Sequence, residues 1–183
     1  MQITDSGGKV LLEIEGTLVG ANLQGLNLKN ANLRGVVLTR ANLCATVLNG
    51  ADLEDADLRS AQLRQAVMEG AFCYSTQFDN ADLTGADLYA IGAFQASFRN
   101  ANLANADLRG ADLKEADFTG ANLTSANLSP NNLGGRTQVQ GADFSGAVLN
   151  EALLDGAEYD AKTLFPDDFD PKDKGMIFLS ENT

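Results

Sequence analysis

Histidine and tryptophan are both missing from the 183 residues, and proline occurs only three times. Without histidine the chain lacks the side chain that most often serves as general base near neutral pH and as zinc ligand. Two cysteines, Cys44 and Cys73, are too few for a disulfide framework. No stretch approaches the roughly 18 apolar residues of a membrane helix. The first residues, Met1-Gln2-Ile3-Thr4-Asp5, show neither a basic nor an apolar leader segment. A soluble, cytoplasmic protein is the expectation. Positive charge is also scarce: 13 Lys+Arg stand against 25 Asp+Glu, a formal net charge of -12. Nucleic acid and anionic membranes repel an acidic surface, so neither is expected as a direct partner. A basic protein partner is compatible with this charge, and so is a plain solubility role.

What is present is a repeat. Leucine recurs every five residues from Leu18, and the 24 positions of that phase up to Leu133 hold 18 Leu, three Phe and one each of Met, Cys and Ala. Two residues earlier, the 23 positions from Ala21 to Asn131 hold 17 Ala. The position between them favours Asn or Asp, as in Ala101-Asn102-Leu103-Ala104-Asn105-Ala106-Asp107-Leu108. A period of five is not helical, because five steps of about 100° leave successive leucines about 140° apart. It is not that of a simple strand either, where they would alternate between faces. It fits a chain that turns a corner every five residues, with one large and one small side chain pointing inward. Asn and Asp tolerate turn dihedrals and bond to nearby backbone.

These two slots, repeated over more than twenty tandem copies, closely resemble the pentapeptide-repeat family. The resemblance covers about residues 17–160. It implies an all-β, right-handed quadrilateral β-helix with four pentapeptides per coil, about seven coils in all, capped at both ends. Residues 1–16 are then an N-terminal capping segment, 17–161 the solenoid, and 162–183 a C-terminal cap or tail.

Twenty residues per coil sort the large slot into four columns. Leu18, Leu38, Leu58, Phe78, Phe98 and Phe118 share one, so the three rings are expected to stack down the axis. Cys73 and Ala93, both small, share another beside that stack. At Ile91-Gly92-Ala93 a large residue enters the small slot as a small one enters the large slot, the compensation a close-packed interior requires. Leu58, Cys73, Phe78, Ala93, Phe98 and Phe118 are thus the expected structural core. The phase slips once. Leu133 is followed by Gly134-Gly135-Arg136-Thr137-Gln138, and the pattern resumes at Phe144, which reads as one extra residue within 134–139 with Val139 inward. Pro130 and the Asn131-Asn132 and Gly134-Gly135 pairs suit a bulged corner or short loop.

Open solenoid ends need covers. Val10, Leu12 and Ile14 alternate with Leu11, Glu13 and Glu15 and read as a strand leading into the first coil. Asp170-Pro171-Lys172-Asp173-Lys174-Gly175 reads as one helical turn, with Asp as N-cap, Pro at the first helical position and Gly as terminator. Leu164, Phe165, Phe169, Met176, Ile177, Phe178 and Leu179 supply an apolar lid. The run from Thr163 to Pro171, with Gly175-Met176, resembles tails of cyanobacterial members of the family.

No nucleophile–base set, metal-ligand spacing or phosphate loop is present, so no catalytic residue, cofactor or metal is expected, and the chain is not expected to be an enzyme. The carboxylates Asp52, Glu54, Asp55 and Asp57 read as a solvated face. Cys44 points outward and Cys73 inward, so they do not pair. Outward aromatics stand out: Phe72, Tyr74 and Phe94 on one face in adjacent coils, with Tyr89 at the preceding corner, are the candidate partner-binding residues. A non-catalytic protein-interaction module results, its partner a protein of unknown identity, the chain a monomer or a dimer joined through its C-terminal end. Some family members resemble duplex DNA and bind DNA gyrase, which makes a DNA mimic the alternative. Residues 155–183 alone, however, hold eight acidic against three basic side chains, as large an excess as the 14 against nine of residues 21–154, and the Asp/Asn columns along the rod are interrupted. A purely structural spacer is the third reading.

Overall fold

The structure, a computed structural model, describes residues 2–180. Its backbone is a ladder of short parallel bridges whose partners lie twenty residues apart, such as Asn42↔Gln62, Val47↔Val67, Asp52↔Phe72 and Asp57↔Gln77. Bridges recur every five residues along the chain, so each twenty-residue segment contributes to four columns. Each rung uses the same donors. Leu63 N–H donates to the Asp82 carbonyl of the next coil at 2.7 Å, and Gln62 N–H to the Ala41 carbonyl of the previous one at 2.9 Å. No helix occurs among the described residues.

The corners explain the composition. Every fifth residue from Gly20 to Ser125 has φ between 52° and 68°, the left-handed region that Gly enters freely and Asn tolerates better than most side chains. The next small residue closes the turn, as when Ala66 N–H donates to the Leu63 carbonyl at 3.0 Å. The Asn or Asp before each large residue accepts from the amide two positions on, as Asp82 Oδ1 does from Thr84 N–H at 3.1 Å. Where threonine replaces the small alanine, its hydroxyl is buried and donates to a carbonyl of the coil below: Thr46 to Leu23 at 2.8 Å, Thr76 to Leu53 at 2.7 Å.

Two interruptions shift the ladder. Asp112↔Gln138, Asp117↔Asp143, Asn122↔Val148 and Asn127↔Leu153 are 26 residues apart, so six residues are looped out rather than one. Counting modulo five cannot tell the two apart. Leu133 keeps the leucine phase but sits in this loop, 91% exposed, whereas Val139 fills the core slot. The proline at 130 explains the exit, because it occupies the corner position where all its predecessors have positive φ, which the ring forbids. Asn131 holds the loop together: its Oδ1 accepts from Leu133 and Gly135 N–H at 3.0 and 2.8 Å. A second offset follows at Asp143↔Leu164, 21 residues apart.

The ends carry the only extended pairs among the described residues. β1 (Gln2–Thr4) and β2 (Val10–Glu13) form an antiparallel hairpin. It is laid on the first coil by the Asn32 N–H to Thr4 carbonyl bond at 2.7 Å. This buries Ile3, which the repeat phase gives no reason to single out. β3 (Glu158–Tyr159) pairs in parallel with β4 (Ile177–Phe178). The single turn expected at 170–175 forms, with Lys174 and Gly175 N–H donating to the Pro171 and Lys172 carbonyls at 3.3 and 3.0 Å, but it is too short to be a regular helix. Asp170 Oδ1 does accept from Lys172 N–H at 2.8 Å and Gly175 does take a positive φ of 71°. Met176 N–H closes the turn on the Pro171 carbonyl at 3.1 Å, and the chain then runs on so that Ile177 N–H reaches the Ala157 carbonyl at 2.8 Å.

Candidate functional site

The core column next to the one beneath the candidate face is a stack of rings. Phe78, Phe98, Phe118 and Phe144 lie nearly parallel at 4.8–4.9 Å spacing, and Phe165 and Phe169 continue the series at 5.8 and 5.0 Å. Phe144 and Phe165 follow at offsets of 26 and 21 residues and Phe169 four residues beyond, so a strict count of twenty finds none of the three. Leu58, Cys73, Phe78, Ala93, Phe98 and Phe118 are all fully buried. Burial pushes the Cys73 thiol up, out of the range in which it ionises. Cys44 and Cys73 are free thiols.

Phe72, Tyr74 and Phe94 come together on the surface over Cys73 and Ala93. Phe72 bridges Asp52 below and Gly92 above. Its ring is 47% exposed and meets Tyr74 at a 6.3 Å centroid distance. Tyr74 rises one coil and lies across Gly92: a Cβ there would stand 3.0–3.1 Å from its ring and hydroxyl. Ser75 N–H donates to the Phe94 carbonyl at 3.0 Å, which fixes Phe94 directly above Tyr74 in the ladder. Tyr74 and Phe94 are half-buried, so the patch has one projecting ring, Phe72, and two flatter ones. Phe72 and Gly92 occupy the column that carries Asn32, Asp52 and Asp112 elsewhere, so carboxylates flank the patch along the rod.

Tyr89 does not join this group. It sits around the preceding corner, with the Arg109 guanidinium over its ring at 5.5 Å. Arg109 is itself clamped by Asp107, Nε to Oδ1 at 2.9 Å and Nη2 to Oδ2 at 2.6 Å. Burial opposes the charge on Asp107, but the bonds from Arg109 outweigh it and hold the carboxyl below the usual range. Tyr89 is half-buried, like Tyr74 and Phe94, with one face of its ring under Arg109.

The acidic run is dispersed by ion pairing. Arg34 bridges Glu54 and Asp55, and Arg59 binds Asp57 at 2.7 Å. Among the described residues no cluster of three potential ligands could hold a metal ion, and no helix is long and apolar enough to cross a membrane.

The pentapeptide-repeat profile matches in eight copies, over residues 17–55, 37–72, 56–90 and 94–129. Among solved structures, HetL, a pentapeptide-repeat protein involved in heterocyst differentiation regulation from the cyanobacterium Nostoc, is 28% identical. The match covers 88% of this chain and 80% of HetL, at a TM-score of 0.50. Rfr23, from the cyanobacterium Cyanothece, is 26% identical over 80% of this chain and 89% of its own, at a TM-score of 0.24. The plasmid-mediated fluoroquinolone resistance protein QnrB1 is 16% identical, with 89% and 91% covered and a TM-score of 0.42. No curated protein matches.

Proposed function

The chain belongs to the pentapeptide-repeat family, and from that premise we propose that it is a non-catalytic protein-interaction module whose contact face is Phe72, Tyr74 and Phe94. The body of the rod, residues 17–161, is a right-handed, four-sided β-helix of about seven coils, with residues 1–16 and 162–183 as its covers. It works in the cytoplasm, without cofactor, on a protein partner. The similarity to HetL supports a regulatory role exerted by contact.

The observation that carries this reading is the 47% exposure of Phe72 in a column otherwise dominated by polar residues. A large ring left in water on a rigid ladder is a poor choice for solubility and a good interface anchor, because its position is fixed before binding. The interior, filled with Leu, Phe and Ala, leaves no room for a substrate.

The test is affinity capture from a lysate of the source organism with the native protein beside a folded Phe72→Ser/Phe94→Ser variant. A partner retained by the first and lost by the second supports the face. Equal retention removes it, and capture by neither favours a spacer role.

A further inference from the structure

At the C-terminal end of the ladder one edge stays open. In the column of Asn102, Asn122 and Val148, each coil receives the next through three groups. Leu123 N–H donates to the Val148 carbonyl at 2.8 Å, Ser125 N–H donates to the Asn150 carbonyl at 2.8 Å, and the Ala121 carbonyl accepts from Val148 N–H at 2.9 Å. One coil further on, the same three groups are Leu149 N–H, Glu151 N–H and the Ala147 carbonyl. Among the described residues none of them meets a backbone partner.

This edge forms one wall of a groove of about 780 Å³, and Pro166, Asp168 and Phe169 form the other. Val148, 42% exposed, projects where the coils below carry asparagine. Glu151, Asp167 and Asp168 also line the groove, and among the described residues none of the three is in an ion pair; Lys174 is the lone cation of the lining. An unpaired strand edge beside an apolar side chain and three carboxylates has a definite complement.

We propose that this groove docks an extended, lysine- or arginine-bearing segment of a partner protein, which adds as a further parallel strand along Ala147–Glu151. One peptide residue takes the position opposite Val148. Its amide donates to the Ala147 carbonyl and its carbonyl accepts from Leu149 N–H, while the residue two further on accepts from Glu151 N–H. Peptide side chains then alternate between the groove floor and its rim, where basic ones reach Glu151, Asp167 and Asp168. The charge argues against a second copy as occupant. Residues 155–183 hold eight acidic and three basic side chains, so like ends repel. The site is separate from the aromatic face and stands or falls without it.

The test pans phage-displayed random heptapeptides on the full-length protein. The best-enriched heptapeptide is then synthesised and titrated into the ¹⁵N-labelled chain. The expected result is enrichment of sequences with Lys or Arg next to an apolar residue, with the largest amide shifts at Leu149 and Glu151. In an Asp167→Lys/Asp168→Lys variant, which alters only exposed side chains, the affinity falls about tenfold. The proposal is overturned by no enrichment, by shifts centred elsewhere, or by affinity indifferent to the charge reversal. It is equally overturned if sedimentation shows a dimer that protects the Leu149 and Glu151 amides before any peptide is added, since the occupant is then a second copy.

Discussion

Phe98 lies over Phe118 with ring centroids 4.8 Å apart and planes within 1° of parallel. The spacing is that of neighbouring backbone strands, so the ladder sets the distance and the rings follow. Twenty residues lower the same column holds Phe78, and lower still Leu58 and Leu38, which fit the same slot with less volume. The core therefore changes from aliphatic to aromatic partway along the rod, and the aromatic half runs to the C-terminal end.

Phe98→Ala is expected to cost about 3–5 kcal/mol, since it opens a cavity between two rings that the backbone prevents from closing. Phe98→Leu should cost only about 1 kcal/mol, because leucine is what the lower coils use. Equilibrium urea unfolding separates the two. Equal losses would mean that the rings stack without supporting one another.

The loop before Thr137 follows from one dihedral. Removing residues 131–136 leaves Leu128-Ser129-Pro130 joined to Thr137-Gln138-Val139, a regular pentapeptide spacing with proline at the corner. That deletion alone should destabilise the protein by at least about 2 kcal/mol, as the corner requires a positive φ. Deletion combined with Pro130→Gly should restore near-native stability and shorten the Asp112↔Gln138 offset to twenty residues. Thermal melts of the two variants decide it. If both melt alike, the proline is not the reason the chain leaves the coil.

That corner also shows where the sequence was readable and where it was not. The large and small slots name their own occupants, so columns such as Phe78–Phe98–Phe118 and the inward pair Ile91 and Ala93 can be read directly. Length is not marked in the same way. A six-residue excursion and a one-residue slip leave the same phase, so Leu133 keeps the pattern while hanging in water, and Phe144 and Phe165 drop out of a column they belong to. Tyr89 sits at the corner where the repeat puts it, but no repeat rule says that Arg109 lies over it. Val148, Leu153 and Leu164 did carry a signal, being apolar residues in the slot that elsewhere prefers Asn or Asp.

Asp160 is the hub of the last corner. Its Oδ1 accepts from the backbone amides of Gly141, Lys162 and Thr163 at 2.9–3.0 Å and from the Thr163 hydroxyl at 3.0 Å. Burial works against its charge, but these donors together hold the carboxyl below the usual range. A depressed folded value means that the stabilisation is fully present above the unfolded value of about 3.9 and fades as pH falls through the folded one. Asp160→Asn should weaken the C-terminal end at neutral pH by about 1–3 kcal/mol and flatten its acid dependence. Hydrogen exchange at the Gly141 amide between pH 3 and 7 reads both. An unchanged acid profile would remove Asp160 from that role.

Gly92→Ala probes the candidate face from behind. The added methyl meets the Tyr74 ring at 3.0–3.1 Å, and the ring, being half-buried, can tilt outward. Stability should change by less than about 1 kcal/mol, while any partner that reads Phe72 and Tyr74 together should bind several-fold more weakly. Urea unfolding and partner binding are to be compared on the same sample. Unaltered binding would place the contact elsewhere on the rod.

The last prediction concerns DNA gyrase: supercoiling by the enzyme should be unaffected by this protein at micromolar concentration. A duplex mimic needs rows of uncompensated negative charge at regular spacing along its length. The bridge columns do contain acids in adjacent rungs, Asp87 with Asp107 and Asp117 with Asp143. Two of those four are neutralised, Asp107 by Arg109 and Asp117 by Arg99, and Asp57, Asp82 and Asp112 are paired with Arg59, Arg64 and Lys114. What remains exposed is interrupted by Val47, Val67, Phe72 and Gly92. Clear inhibition, or protection of gyrase from a quinolone, would show that the free acids at the C-terminal end suffice, and would move the DNA-mimic reading ahead of the aromatic face.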